Sequence, residues 1–178
     1  MERLPKPFYY LEVAKQVASR STCLSKQYGA VIVKDDRIIS TGYNGAPRGR
    51  INCCDRGTCL REVLDIPRGF GYSENCAAVH AEQNAIIFAS YADMVDSELY
   101  LYGWDLKRNA MVQAPNICKL CQRMIINADI RAVIIADPDN GVPNAQVGYG
   151  ARTIIVQDWV NNDDSYDPDG GDYANYRV

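Results

Sequence analysis

The tripeptide His-Ala-Glu at residues 80–82, read together with Cys-Lys-Leu-Cys at residues 118–121, decides how the rest of the chain is interpreted. His80 is the only histidine in the sequence. Two cysteines three residues apart on one helix share a face, so Cys118 and Cys121 can bind one ion together. One imidazole and two thiolates leave the fourth position of a tetrahedral zinc open to water, which is typical of catalytic rather than structural zinc.

Glu82 completes this pattern without belonging to the ligand set. It lies two residues from His80, which puts it on a different face of a helix. We therefore expect its carboxylate beside the metal and its water, where it would transfer a proton. Cys-x-x-Cys alone also fits half of a structural zinc site or a redox pair, so the prediction depends on its combination with the sole histidine.

Composition and charge limit the classes of protein that this chain can be. Its 178 residues are enough for one domain with a full core. A net charge of -3 does not favour nucleic-acid binding, and no apolar run is long enough to cross a membrane. Residues 1–7 lack the apolar core of a signal peptide, so a cytoplasmic location is expected. In such a compartment seven cysteines, an odd number, indicate metal binding rather than disulfides.

Hydrophobic periodicity predicts an alternation of helices and strands along the chain. Helices are expected near residues 8–20, 77–91 and 118–128. Strands are expected at residues 29–33, 37–41, 98–102, 132–136 and 152–156. This order favours a three-layer α/β/α sandwich with a mixed five-stranded sheet, in which the two motif-bearing helices lie side by side on one face. We expect one catalytic domain over residues 1–158 and an acidic tail, disordered or lying on a neighbouring subunit, over residues 159–178.

A second group of cysteines surrounds a long connection with little periodicity, residues 48–75. A loop of this length in a compact domain is usually functional or held by something. A closed four-thiolate zinc site would hold it, with the ligands Cys23, Cys53, Cys59 and Cys76. The alternative is a set of small buried apolar side chains, and spacing alone does not decide between them.

The segment Gly-Tyr-Asn-Gly at residues 42–45 follows the second predicted strand. A turn that ends a strand is the simple interpretation. Glycine on both sides of Tyr43 and Asn44 would also permit close approach of a ligand.

These motifs together resemble the deoxycytidylate (dCMP) deaminases of the cytidine-deaminase-like superfamily, over roughly residues 8–157. The matching stretches are Ser-Thr-Cys at residues 21–23, Gly-Tyr-Asn-Gly at 42–45, His-Ala-Glu-x-Asn-Ala at 80–85, and Cys-x-x-Cys with the following Ile-Ile-Asn-x-x-Ile at 118–130. One departure concerns the loop that enters the second motif. The signature has proline directly before the first cysteine, and this chain has Ile117 there.

The resemblance implies hydrolysis of dCMP to dUMP and ammonia at a catalytic zinc. It implies that His80, Cys118 and Cys121 hold this ion and that Glu82 transfers the proton. Some relatives carry a second, structural zinc, and Cys23 and Cys53 match its cysteines best. Cys59 and Cys76 are added to that second site from the ligand count alone.

The resemblance also implies contacts to nucleotides and to other subunits. Asn44 corresponds to the asparagine that hydrogen-bonds the sugar. Gly42, Tyr43, Asn44 and Gly45 correspond to the segment that senses dCTP, an activator, and dTTP, an inhibitor, in regulated members. Ser25 and then Lys26 stand where relatives often carry a phosphate-binding arginine, which leaves Lys26, Arg48 and Arg50 as candidates for the phosphate. Many relatives are hexamers, so a homo-oligomer is expected.

Two other functions fit the same residues. The protein is then a zinc deaminase of another cytosine nucleotide or base, or of a tRNA, pterin-pathway or riboflavin-pathway base. Alternatively it is an inactive relative that senses nucleotides. The intact Glu82 favours an enzyme, because a binding protein has no chemical need for that carboxylate.

Overall fold

A seven-stranded mixed sheet organises the fold, which the computed structural model describes over residues 2–67, 75–113 and 117–162. Its strands are β1 Lys26–Lys34, β2 Arg37–Tyr43, β3 Glu98–Asp105, β4 Ala110–Met111, β5 Ala132–Ala136, β6 Val142–Asn144 and β7 Tyr149–Ile155. The order across the sheet is β2-β1-β3-β5-β7-β6, with β4 paired to β3. Strands β3 and β5 run parallel, whereas the pairs β1–β2, β1–β3, β3–β4, β5–β7 and β6–β7 are antiparallel.

The predicted α/β sandwich is confirmed, but the prediction of five strands was wrong by two short strands. Strand β4 has two residues and strand β6 has three. Strand β6 includes Pro143, which has no N–H to donate and is tolerated at a sheet edge. Its first residue, Val142, is 75% exposed, so the strand carries no buried alternation that a pattern of apolar residues would reveal.

Helices cover both faces of the sheet. Those whose bounds fall within the described residues are α1 Lys6–Ala18, α2 Cys53–Arg56, α3 Leu60–Val63, α4 Ala81–Ile87, α5 Tyr91–Met94, α6 Lys119–Asn127 and α7 Val156–Asn161. On one face α1 buries Leu11 and Ala14 completely. On the other face α4 and α6 bury Ala85, Cys121 and Ile125. The predicted arrangement, with both motif-bearing helices on one face, is therefore confirmed.

His80 and Cys118 lie at the N-caps of these helices rather than inside them. Their backbones are extended, with φ/ψ of −72°/158° for His80 and −64°/152° for Cys118. The predicted helix over residues 77–91 was too long, because it begins at Ala81 and gives way to a separate α5. Val79 pairs with Gly45 in an isolated β-bridge, which keeps the chain extended up to His80.

The last described helix crosses the predicted domain boundary at residue 158. In α7, Trp159 packs against the core on the α6 side of the sheet. The rest of the predicted acidic tail, residues 163–178, lies outside the described residues. Among the residues that the structure describes, no helix has both the length and the apolar character needed to cross a membrane.

Candidate active site

Three atoms of the type that binds metals meet where α4 and α6 begin. His80 Nδ1 lies 3.5 Å from the Sγ of Cys118 and 3.5 Å from the Sγ of Cys121. Within the described part of the chain, only these three residues bring three such atoms within 4.8 Å of one another. His80 is the N-cap of α4, and Cys118 is the N-cap of α6, so the geometry is fixed by two helix N-termini.

These separations fit a tetrahedral zinc ion. With Zn–S near 2.3 Å and Zn–N near 2.0 Å, tetrahedral angles put the nitrogen about 3.5 Å from each sulfur. The observed separations equal that value. One imidazole and two thiolates form a ligand set that catalytic zinc uses, and three protein ligands leave a fourth position for water or substrate.

The pKa values of the two cysteines move in opposite directions. A hydrogen bond with the Cys121 thiol, aided by His80, lowers the pKa of Cys118 to about 4. The neighbouring Cys118 sulfur and burial raise the pKa of Cys121 above its usual range. A metal cation between the two sulfurs would allow both to be ionised together.

Glu82 lies in the first turn of α4, next to the three ligand-type residues. Its side chain is 6% exposed, and this burial raises the pKa of its carboxyl group. The carboxyl group is within hydrogen-bonding reach of Cys121. A carboxyl group with a raised pKa beside a metal can both accept and release a proton near neutral pH.

Strand β2 holds α4 in place through three contacts. The Ser40 hydroxyl donates to the Ala85 carbonyl at 2.7 Å, and the Asn84 amide donates to the Tyr43 carbonyl at 2.7 Å. A Cβ atom on Gly42 would lie 2.3 Å from the Ala81 carbonyl oxygen, so only glycine allows the helix to come this close. Close packing between β2 and α4 therefore explains why residue 42 is glycine. A role of Gly42 in nucleotide sensing stays a prediction.

Two glutamines outside the predicted ligand set contact the backbone beside the ligands. The His80 N–H donates to Gln83 Oε1 at 2.8 Å. Gln122 Nε2 donates to the Ile117 carbonyl at 2.9 Å, immediately before Cys118. Gln83 stands three residues after an N-cap, which is a capping-box spacing that the sequence displays. No comparable sequence signal marks Gln122.

Asn44 is 7% exposed and uses its side chain on the neighbouring strand. Its Oδ1 accepts from the Tyr28 N–H at 2.7 Å, and its Nδ2 donates to the Lys26 carbonyl at 2.9 Å. One N–H and one lone pair of the amide are not used in these two bonds. The next residue, Gly45, pairs with Val79 and so links this segment to His80.

The candidates for phosphate binding lie in different places. The Ser25 N–H lies 3.4 Å from Cys23 Sγ. Lys26 begins β1 opposite Asp105, and its charge helps to lower the pKa of that carboxyl group. The Arg48 guanidinium lies 4.5 Å from the centroid of the Phe88 ring.

Among the described contacts, neither arginine is held beside His80, at the N-terminal end of α4. Phe88 is the C-cap of α4, about 12 Å along the helix from its N-cap, so Arg48 is held at the opposite end from His80. Arg50 is exposed.

The sulfur atoms of the second group of cysteines lie farther apart than the ligand-type atoms of the first group. Cys23, Cys53, Cys59 and Cys76 are all half-buried. Burial raises the pKa of Cys53, and the charges of Cys59, Cys23 and Cys76 raise it further, so the three thiols lie around Cys53. Among the described residues no three of these sulfurs come within 4.8 Å of one another.

Comparison with known proteins gives one family over most of the chain. The zinc-binding region of cytidine and deoxycytidylate deaminases matches residues 6–137. A deoxycytidylate deaminase of Mycobacterium phage D29 is 35% identical over 130 residues, which are 71% of this chain and 90% of that protein. A deoxycytidylate deaminase of Schizosaccharomyces pombe is 38% identical over 95 residues, 53% of this chain, which spans only 28% of that longer protein.

A solved structure supports the fold. The crystal structure of a dCMP deaminase from the cyanophage S-TIM5 in apo form aligns with a TM-score of 0.50 at 24% identity. The alignment covers 82% of this chain and 92% of that one. The fold of this chain is therefore one already seen in a solved protein.

Proposed function

The chain belongs to the cytidine and deoxycytidylate deaminase family, and from this premise we propose that it hydrolyses dCMP to dUMP and ammonia. One observation carries the proposal: His80 Nδ1 faces both Cys118 Sγ and Cys121 Sγ at 3.5 Å, with the buried Glu82 beside them. His80, Cys118 and Cys121 would hold the catalytic zinc. When bound, zinc acidifies water and so supplies a nucleophile at neutral pH.

Glu82 moves the protons of the reaction. Its carboxylate takes a proton from the attacking water and delivers it to N3 of the cytosine ring while oxygen adds to C4. The carboxylate then takes the remaining proton from the new hydroxyl group on C4 and passes it to the amino group, which leaves as ammonia while C4 becomes a carbonyl. Burial of Glu82 supports this role, because a raised pKa lets one group serve as base and then as acid.

Replacement of Glu82 by glutamine tests this role. Glu82→Gln keeps the side-chain volume and the three ligands but removes the proton acceptor. We expect zinc content to stay unchanged and turnover of dCMP to fall about 10²–10⁴-fold. Glu12→Gln is the matched control, since Glu12 lies on α1 and accepts a hydrogen bond from Tyr149 that glutamine can also accept. A near-normal rate for Glu82→Gln would contradict the assignment.

A panel of substrates tests the choice of dCMP. Release of ammonia would be measured with dCMP, deoxycytidine, cytidine, CMP and dCTP on one zinc-loaded sample. Highest kcat/KM for dCMP supports the proposal. Turnover of another compound alone would make the protein a different deaminase, and nucleotide binding without product from any of them would make it a nucleotide sensor.

The proposal includes a second, structural zinc held by the thiols around Cys53. The effect of Cys59, Cys23 and Cys76 on the pKa of Cys53 supports it, because these three thiols must lie near Cys53 to have that effect. Cys53 and Cys59 lie at the starts of two single-turn helices in the described part of the connection. Elemental analysis of purified protein tests it: two zinc ions per chain are expected, and one would remove the second site.

Substrate and effector contacts are also part of the proposal. Asn44 would offer its remaining N–H to the sugar, as the resemblance implies. Ser25 and Lys26, which stand where relatives often carry an arginine, would contact the phosphate, with Arg48 and Arg50 as the alternatives. The segment of Gly42, Tyr43, Asn44 and Gly45 would bind dCTP or dTTP. The exposed ring of Tyr43 supports this, since 38% of the residue is accessible. Rates measured with added dCTP and dTTP would test the regulation.

Assembly into a homo-oligomer, with a hexamer favoured, completes the proposal. The end of α4 and the start of α5 expose three large apolar side chains: Ile87 is 62% exposed, Phe88 50% and Tyr91 57%. Clustered exposed apolar side chains are typical of interaction surfaces. Sedimentation of the unaltered protein and of Ile87→Lys tests this. A cytoplasmic location is proposed as well, because a reducing compartment keeps thiols available for metal.

A further inference from the structure

The two backbone segments that carry His80 and Cys118 are each held by a glutamine. Gln83 Oε1 accepts from the His80 N–H at 2.8 Å, and Gln83 Nε2 lies 3.7 Å from Met124 Sδ on α6. One side chain therefore connects the N-cap of α4 to the neighbouring helix. The bond to Gln83 restrains the backbone of His80 directly, because an N-cap residue has no helical hydrogen bond from its own N–H.

Gln122 restrains the backbone at the start of α6 in a similar way, but it acts as a hydrogen-bond donor whereas Gln83 acts as an acceptor. Its Nε2 donates to the carbonyl of Ile117, which is 2% exposed and directly precedes Cys118. The signature motif has proline at this position, and proline fixes the backbone by its ring. Ile117 has no such constraint, so the bond from Gln122 restrains the same part of the chain instead.

We infer that Gln83 and Gln122 are positioning residues of the metal centre, which hold the backbone of His80 and Cys118 so that the three ligand atoms keep tetrahedral spacing. Groups that orient metal ligands typically contribute 10–100-fold to metal affinity. Neither glutamine side chain contacts a predicted ligand atom in the described hydrogen bonds. The inference rests on the metal site of the proposed function, but not on the identity of the substrate.

The opposite roles of the two side chains give a sharp test. Methionine at either position keeps length and helix propensity but removes the hydrogen bond. Glutamate at position 83 still accepts from the His80 N–H, whereas glutamate at position 122 cannot donate to the Ile117 carbonyl when ionised. We expect Gln83→Met and Gln122→Met to weaken zinc binding about tenfold or more. Gln83→Glu should bind zinc like the unaltered protein, and Gln122→Glu should be at least as weak as Gln122→Met.

Zinc affinity would be measured by competition with a chelator, and the absorption of cobalt(II)-loaded protein would report ligand geometry. The matched control is Gln157→Met, which removes a glutamine hydrogen bond on α7, from Gln157 Nε2 to Asn161 Oδ1 at 3.0 Å. Equal affinities for the methionine variants and the unaltered protein would overturn the inference. A shift of both glutamate variants in the same direction would do so too, since it would indicate a charge effect.

Thermal unfolding distinguishes positioning from general support of the helices. A positioning role predicts that each methionine variant loses more stability with zinc bound than after chelation. An equal loss of stability with and without zinc would overturn the positioning role. This comparison can be made even for a variant that is too unstable for the measurement of zinc affinity. Unaltered protein that binds no zinc would overturn the proposed function as well. If the zinc affinities follow the expected pattern but the protein does not turn over dCMP, only the proposed substrate is overturned and the positioning role stands.

Discussion

The two groups of cysteines differ in what holds them together. Cys118 is the N-cap of a helix that packs on the sheet, Cys121 lies in the first turn of that helix, and His80 caps a second helix beside it. Cys53 and Cys59 lie instead at the starts of two single-turn helices without buried residues. The first group has ligand spacing before any ion is considered, whereas the second would need the ion to draw its sulfurs together. A preformed site suits catalysis, and an ion that shapes a loop suits structural support.

Serine substitution in each group should separate these two roles with the largest effect. Cys121→Ser removes a fully buried sulfur of the proposed ligand set. Metal catalysis contributes several kcal/mol, so we expect loss of the catalytic zinc and a fall in turnover of about a thousandfold or more. Cys53→Ser should leave turnover of folded protein close to normal and lower the thermal midpoint by several degrees. Zinc content, kcat and thermal unfolding would be measured on both variants.

The serine result can also break the comparison. Loss of turnover in folded Cys53→Ser protein would mean that the second group takes part in the active site. Retention of zinc and activity in Cys121→Ser would remove the first group as the metal centre. Cys54→Ser is the control, because Cys54 is the exposed neighbour of Cys53 and belongs to neither ligand set.

The sequence predicted the features that regular patterns encode, and it indicated three residues whose ligand-type atoms the fold brings together. Apolar spacing indicated α1 and the buried strands β1 and β5, and the sole histidine together with Cys-x-x-Cys indicated residues that the fold brings together. It did not indicate the N-cap geometry of His80, because the bridge between Gly45 and Val79 joins residues distant in sequence. The hydrogen bonds between the Asn44 amide and the backbone of β1 were not predicted either, for the same reason.

Alkylation should show a smaller but direct difference between the groups in chelated protein. The pKa of Cys118 is lowered to about 4, whereas that of Cys53 is raised. At pH 6 Cys118 is then a thiolate, whereas Cys53 stays almost entirely protonated. A low pKa also reduces intrinsic nucleophilicity, but by less than it raises the thiolate fraction, so we expect Cys118 to react several-fold faster. Peptide mapping after limited iodoacetamide treatment measures both rates.

Zinc supplies the control for the alkylation experiment. Bound metal should protect Cys118, and a chelator should restore its reaction. Equal rates for Cys118 and Cys53 in chelated protein would contradict the opposite directions of their pKa shifts. They would leave the ligand geometry of the first group intact.

The smallest expected effects concern the neutral hydrogen bonds that support each group. Ser40→Ala removes the buried bond to the Ala85 carbonyl that fastens α4 to β2, and it should cost about 1 kcal/mol of unfolding free energy. Asn52→Ala removes the exposed bond to Asp55 at the N-cap of α2, and it should cost less, about 0.5 kcal/mol. Urea unfolding of zinc-loaded protein measures both. A larger loss for Asn52→Ala would reverse the comparison, because the connection would then stabilise the fold more than the contact between sheet and helix does.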